Sequence, residues 1–275
     1  MQKLPEYTNL GWQHPMWELL RIYRSMGGAL RQRDAWLDAL LKDHACTFPG
    51  DEAPPVSVEK GTADSLGDYI DASEKQFGEC FSRLRREDEA TAYCRQLGVE
   101  LTRTRTKSKD HHQSPKALVG SVTFTAAELC QAHGVGIDPN PQNRCVWTDS
   151  GRLHVSARRL DGAIPSLVNP TMVWEIKEYW GGTGGGSKMS DAVYECQLVG
   201  REIREFEDSG HTSVVHVVFI DGEIQWSTRK SDFARFIDLA NQGLIDNLVI
   251  GREVEADWSL ILEAHLQSRS SGVLD

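Results

Sequence analysis

The sequence predicts a mixed α/β (α+β) fold, in which a mixed β-sheet core flanked by helices follows an N-terminal helical region. Three observations carry this expectation. The first hundred residues repeat apolar side chains at helix-face spacing. After Ser121 the texture changes to strand-like runs alternating with helical ones. Within that second part, Val214-Val215-His216-Val217-Val218-Phe219-Ile220 is a nearly all-apolar run of β-branched type, which suits a strand buried on both faces. Strands followed by a helix, another strand and another helix imply a sheet with helices packed on it. The expected division is a mainly helical region over 1–120 and a sheet-containing core over 121–275.

The elements follow in chain order. Trp17, Leu20, Ile22 and Tyr23, then Trp36, Leu37, Leu40 and Leu41, mark two helices. Pro15 suits a first helical turn and Gly27-Gly28 interrupts the pattern. A polar, proline-containing connector occupies 47–55. A longer helical stretch is predicted over 64–97, with Leu66, Tyr69, Ile70, Phe77, Phe81 and Leu84 on its apolar side. Thr125-Ala126-Ala127-Glu128 reads as a capping box that opens a short helix. Beyond the Asp138-Pro139-Asn140-Pro141 loop, strands are predicted near 152–160 and 172–179, then a helix near 191–206 and a strand near 213–220. A helix near 232–241 and a short strand near 248–250 follow. The 191–206 helix rests on Ala192, Cys196, Val199, Ile203 and Phe206, which step by four and three, with Glu195, Arg201, Glu202, Glu205 and Glu207 assigned to other faces. Ser231 suits an N-cap for the next helix and Gly243 a stop.

Composition narrows the function classes. With 275 residues, 40% hydrophobic and 25% charged, the chain is neither disordered nor collagen-like. No apolar run approaches the roughly 18 residues of a membrane span. The N-terminus, MQKLPEYTNLGWQHP, lacks the basic-then-apolar layout of a signal peptide, so a cytoplasmic location is expected. The cysteines Cys46, Cys80, Cys94, Cys130, Cys145 and Cys196 form no CxxC pair, and free thiols are expected. Cys130-x-x-His133 and His44-x-Cys46 lack a second pair at zinc-ligand spacing. A net charge of −10 argues against non-specific coating of nucleic acid. Locally, however, Arg103, Arg105, Lys107, Lys109 and Lys116 face a single Asp110, a segment suited either to gripping phosphates or to a solvated loop.

One strand carries chemistry. In Val173-Trp174-Glu175-Ile176-Lys177-Glu178-Tyr179, the Glu175 and Lys177 side chains project to the same face. A carboxylate and an amine side by side on a core strand are costly unless paired or used. Asp161, just before Gly162 and the Pro165 turn, comes close to Glu175 if the two strands form an antiparallel hairpin. Two carboxylates are hard oxygen ligands for Mg²⁺, which keeps several waters and binds a scissile phosphate. The ion polarises the phosphoryl oxygen and lowers the pKa of the attacking water, and an ammonium offsets charge that builds in the transition state. Glu175-x-Lys177 is the only acid-x-Lys triplet in the chain, against roughly one and a half expected from composition alone. The triplet therefore counts through its context, and the alternative is a surface ion pair on a half-buried strand.

Leu160-Asp161-Gly162 followed by Trp174-Glu175-Ile176-Lys177 resembles the PD-(D/E)xK nuclease superfamily, which includes most type II restriction endonucleases. The resemblance spans residues 125–251, with Leu160 where the pattern has proline. It implies a restriction-endonuclease-like core and Mg²⁺-dependent hydrolysis of DNA phosphodiester bonds, as by a sequence-specific type II restriction enzyme. Asp161 and Glu175 would be the metal ligands and Lys177 the catalytic lysine. It also implies double-stranded DNA as partner and a homodimer for cutting both strands, with no nucleotide cofactor. Two alternatives stand beside it: a repair, recombination or anti-phage nuclease acting on modified or structured DNA, and a non-catalytic nucleic-acid-binding module. Members often carry a further acid or glutamine on a flanking helix, for which Glu128 and Gln197 are the candidates.

Gly181-Gly182-Thr183-Gly184-Gly185-Gly186-Ser187-Lys188 has the order Gly-Ser-Lys where a phosphate loop needs Gly-Lys-Ser/Thr. Two readings stay open for it: a loop that orders against DNA beside the site, with Lys188 as a phosphate contact, or a plain linker. Trp147 and Trp180 flank the expected site and are read as core rather than base-stacking residues. His154 and His216 are read as sheet residues satisfied in place. No Gly-x-Ser-x-Gly elbow or Gly-x-Gly-x-x-Gly fingerprint supports a serine hydrolase or a dinucleotide enzyme.

Overall fold

The computed structural model describes residues 1–26, 30–48, 53–102, 115–181, 186–210 and 212–271. The chain divides into two compact units, with the boundary between residues 79 and 80 rather than at 120. The smaller contains residues 3–79 with 241–243, and the larger contains the rest.

The smaller unit holds α1 (Pro5–Thr8), α2 (Met16–Ser25), α3 (Leu30–Asp43), the short antiparallel pair β1 (Ala45–Cys46) and β2 (Val56–Ser57), and most of α4 (Lys60–Phe81). Met16, Trp17, Leu20, Tyr23, Trp36, Leu40, Leu66 and Tyr69 form its core. Tyr7 and Trp17 both pack edge-on against Tyr69, with ring centroids 4.9 and 5.2 Å away. The two buried indoles are not left unsatisfied: Trp17 donates to the Gly11 carbonyl and Trp36 to that of Thr47, each at 2.9 Å.

The larger unit begins with the end of α4, followed by α5 (Glu87–Gln96) and α6 (Ala117–Ala132). The single helix expected over 64–97 is therefore two, because the turn between them buries Arg85. The capping box at 125–128 is also corrected, since those residues lie inside α6. That helix starts earlier because its N-terminus is satisfied by a tertiary contact: the Leu118 N–H donates to Glu178 Oε1 at 2.8 Å. A hairpin of β3 (Val146–Asp149) and β4 (Arg152–Val155) turns at Ser150 and Gly151, both at positive φ. The strand expected over 152–160 ends at Val155. There Ser156 Oγ accepts from the Cys145 N–H and donates to the Arg158 carbonyl, replacing a ladder with a loop.

The main sheet has the order β5 (Gly162–Ile164), β6 (Met172–Glu178), β7 (Val215–Asp221), β8 (Asn247–Ile250). The β5–β6 pair is antiparallel and the other two pairs are parallel, so the sheet is mixed. Between its strands run α7 (Gly186–Asp208), α8 (Glu223–Thr228) and α9 (Lys230–Asn241), and α10 (Glu253–Ser271) follows β8. One face packs Met172, Trp174, Val217 and Phe219 together with Val122 and Ala126 of α6 and Trp258 and Leu262 of α10. The other packs Val173 together with Val199, Ile203 and Phe206 of α7. Side-chain alternation along β6 thus sends Trp174 to the α6–α10 face, and Glu175 and Lys177 to the α7 face. Among the described residues, no helix is long and apolar enough to cross a membrane. All six cysteines are buried, and none is in a disulfide.

Gly162 opens β5 opposite Trp174, and a Cβ there would overlap the buried indole. Trp174 packs edge-on against Trp258 at 5.9 Å and has no room to retreat. Gly162→Ala is expected to lower stability by about 1–3 kcal/mol through overpacking. Chemical denaturation checks this, and an unchanged midpoint contradicts it.

Candidate active site

The β5–β6 hairpin sets the acids together. The Asp161 N–H donates to the Trp174 carbonyl at 2.9 Å, and the Ile176 N–H donates to Asp161 Oδ2 at 2.7 Å. Asp161 thereby sits across from Glu175 at the end of the antiparallel ladder. Glu175 is 0% exposed and Lys177 is 4% exposed. Lys177 Nζ donates to Glu175 Oε2 at 2.9 Å and, at the same distance, to Glu195 Oε2 on α7. The expected trio of Asp161, Glu175 and Lys177 is therefore clustered on one edge of the sheet.

Three further residues complete the cluster. Arg158 reaches in from the loop after β4, pairing with Glu175 and, at 2.7 Å, with Glu195. His216 of β7 lies beneath, with Nε2 3.4 Å from Glu175 Oε1. Its Nδ1 is 3.0 Å from the Leu244 carbonyl. Glu195 was expected on the solvated side of its helix, and that is corrected. It lies three residues after Ala192 and four before Val199, so it shares their face, and that spacing is visible in the sequence. His216 was read as a satisfied sheet residue, yet Nε2 has no hydrogen-bond partner among the described residues. The Arg158-Arg159 pair just upstream of Leu160-Asp161 is the signal that would have found Arg158.

The accessory candidates stand apart. Glu128 is exposed on α6, and Gln197 is half-buried on α7, one residue beyond buried Cys196. Among the described residues, neither is hydrogen-bonded to the cluster. Lys116, at the N-cap of α6, and Lys188, in the first turn of α7, are exposed. Arg103, Arg105, Lys107 and Lys109 lie outside the described residues, as do Gly182–Gly185 of the glycine run. Trp147 and Trp180 are buried and donate to the Pro170 carbonyl and to Glu178, so they are core residues.

Electrostatics separates the two acids. Burial alone raises the Glu175 carboxyl, but Lys177, His216 and Arg158 outweigh it and hold the group well below the ordinary carboxylate range. Desolvation raises Asp161, and the charge of Glu175 adds to it against the pull of the Ile176 N–H and Lys177. Burial works against the Lys177 charge, yet its acidic neighbours hold its ammonium above the ordinary value. The Cys196 thiol beneath the site is pushed well above its ordinary value, first by burial and then by Glu175.

The donors suit a hard dication in type. Asp161 and Glu175 offer carboxylate oxygens, and buried Glu175 Oε1, 3.4 Å from His216 Nε2, has no hydrogen-bond partner within normal geometry among the described residues. Among the described residues no group of three or more His, Cys, Asp or Glu side chains is arranged to hold a metal ion. An ion here would thus have two protein carboxylates and complete its shell with water, as Mg²⁺ commonly does.

Glu178, next along β6, ends on the opposite face. Its Oε1 accepts from the Leu118 N–H and from the Trp180 indole at 2.6 Å. Desolvation nonetheless lifts its carboxyl from 4.5 to about 7. The folded state thus favours the protonated form, so the stabilisation is present below about pH 4.5 and is lost as pH rises through about 7. The full swing is about 3 kcal/mol. Glu178→Gln is expected to flatten that decline in urea unfolding between these pH values. The same slope in the variant would assign the decline to other groups.

A family model described as Domain of unknown function (DUF7687) matches residues 79–265, the stretch that carries the main sheet and the whole cluster. No curated protein and no solved structure matches the chain.

Proposed function

The chain belongs to the DUF7687 family. From the geometry of its candidate site we propose that it is a Mg²⁺-dependent endonuclease hydrolysing DNA phosphodiester bonds, resembling type II restriction enzymes. The observation that carries this reading is the clustering of Asp161, Glu175 and Lys177 on one face of a sheet edge, with Lys177 buried and fixed between two carboxylates. A lysine held so closely has lost its rotamer freedom in the fold, which is what a group that must meet developing charge requires.

Asp161 and Glu175 would hold the ion. Bound there, Mg²⁺ would polarise the scissile phosphoryl group and make bound water acidic. Lys177 presents its ammonium to the phosphoryl oxygens and to the attacking water. Glu195 orients Lys177 from α7, and Arg158 supplies a second cation at the same edge. His216 supports Glu175 from below. The partner in this reading is double-stranded DNA, and a two-fold homodimer would place one such edge against each strand.

Incubation of the full chain with unmethylated plasmid and phage DNA, in Mg²⁺ or in EDTA, tests the reading. Discrete fragments that need Mg²⁺ are expected. Progressive degradation, or activity confined to modified DNA, ends or flaps, would move the assignment to a repair or anti-phage nuclease. DNA binding without products at any divalent concentration would leave a non-catalytic module.

A further inference from the structure

We propose that the cavity lined by Gln142, Asn143, Arg144, Ala157, Arg158 and Arg159, of about 580 Å³, binds the phosphodiester backbone of duplex DNA beside the carboxylate–lysine cluster. The identity of the anion rests on the nuclease reading; the anion-binding character rests on the cavity itself. Three guanidinium groups line it and no acidic residue does, in a chain whose net charge is −10. Arg144 and Arg159 are exposed and pair with no carboxylate among the described residues. Arg158 is shared: it lines the cavity and also pairs with Glu175 and Glu195. An anion in the cavity is therefore within one arginine side chain of the acids.

The loops that carry these arginines are braced before any ligand arrives. The Ser156 N–H donates to the Cys145 carbonyl at 2.9 Å, and Ser156 Oγ accepts from the Cys145 N–H at 3.0 Å, so the two walls are cross-linked at their base. Ser156 Oγ also donates to the Arg158 carbonyl at 2.8 Å, and the Ala157 N–H donates to Glu202 of α7 at 3.0 Å. Cys145 and Leu160, which bracket the two segments, are buried. A braced frame that displays forked donors meets phosphate oxygens bidentately at low ordering cost. Gln142 and Asn143 add neutral donors at the rim.

The test compares the wild-type chain with Arg144→Ala/Arg159→Ala, two exposed sites outside the acid cluster. Fluorescence anisotropy with a labelled DNA duplex is read in EDTA across a salt series, so that no cleavage intervenes. The double variant is expected to bind about tenfold or more weakly, with the salt slope reduced by about one for each arginine and an unchanged thermal midpoint. Wild-type affinity and slope in the variant would overturn the proposal, as would a wild-type chain that binds no duplex DNA. Loss confined to duplex RNA would overturn the DNA assignment. If the wild type cuts no DNA but arginine-dependent binding persists, the nuclease reading falls and the subsite stands.

Discussion

Lys177→Ala is expected to lower the single-turnover rate of DNA cleavage by about 10²–10³, the loss typical of removing one preorganised donor to developing charge. Duplex binding in EDTA should change by less than about threefold, under 1 kcal/mol, because the side chain is 4% exposed and is not part of the open surface. Folding should survive: Glu175 keeps Arg158 and His216 as neighbours after the lysine is gone. A rate and an affinity that fall together would instead mark a disrupted site. A rate equal to wild type would remove Lys177 from the chemistry altogether.

The second large effect concerns the frame rather than the site. Arg85 and Asp221 are both fully buried. Asp221 takes the Arg85 N–H at 2.8 Å on one oxygen and the guanidinium Nε at 2.7 Å on the other, while Nη1 reaches Glu255 at 2.9 Å. This network fastens the α4–α5 turn to the end of β7. Burial raises the Asp221 carboxyl despite Arg85 beside it, so the acid depends on its partner to remain charged. Arg85→Met is expected to cost about 3–5 kcal/mol, because it leaves a buried carboxylate without its counter-ion. For a domain of this size the thermal midpoint should fall by roughly 10 °C. Pairing the change with Asp221→Leu should recover much of the loss, because an apolar pair of similar volume carries no desolvation penalty. A midpoint within a degree or two of wild type in Arg85→Met would mean that the network carries no net stability.

Periodicity and residue type made the main sheet legible. The apolar run at 214–220 became β7 and the 191–206 pattern became most of α7. Asp161 does lie across from Glu175, but the strand paired with β6 is β5, in the stretch read as a turn, while the strand expected before Asp161 pairs with β3 instead. Elements fixed by distant partners were not legible. Nothing local stops a helix at Leu84-Arg85; the stop is Asp221, far along the chain. Nothing local starts one at Ala117; its N-terminus is satisfied by Glu178 of β6. The C-terminal helix α10, with Trp258 and Leu262 in the core, was not anticipated. The same distinction holds at the site. Asp161, Glu175 and Lys177 follow from strand geometry, whereas Arg158 and His216 enter from a loop and a neighbouring strand, and only tertiary packing brings them in.

The most direct measurement of the central claim is a time course on supercoiled plasmid with the full chain, in Mg²⁺ and in EDTA, beside Glu175→Gln. Nicked and linear products that appear only in Mg²⁺, and that vanish with the glutamine, are the predicted result. Plasmid intact in every lane, or cut equally with EDTA or without the Glu175 carboxylate, would contradict it.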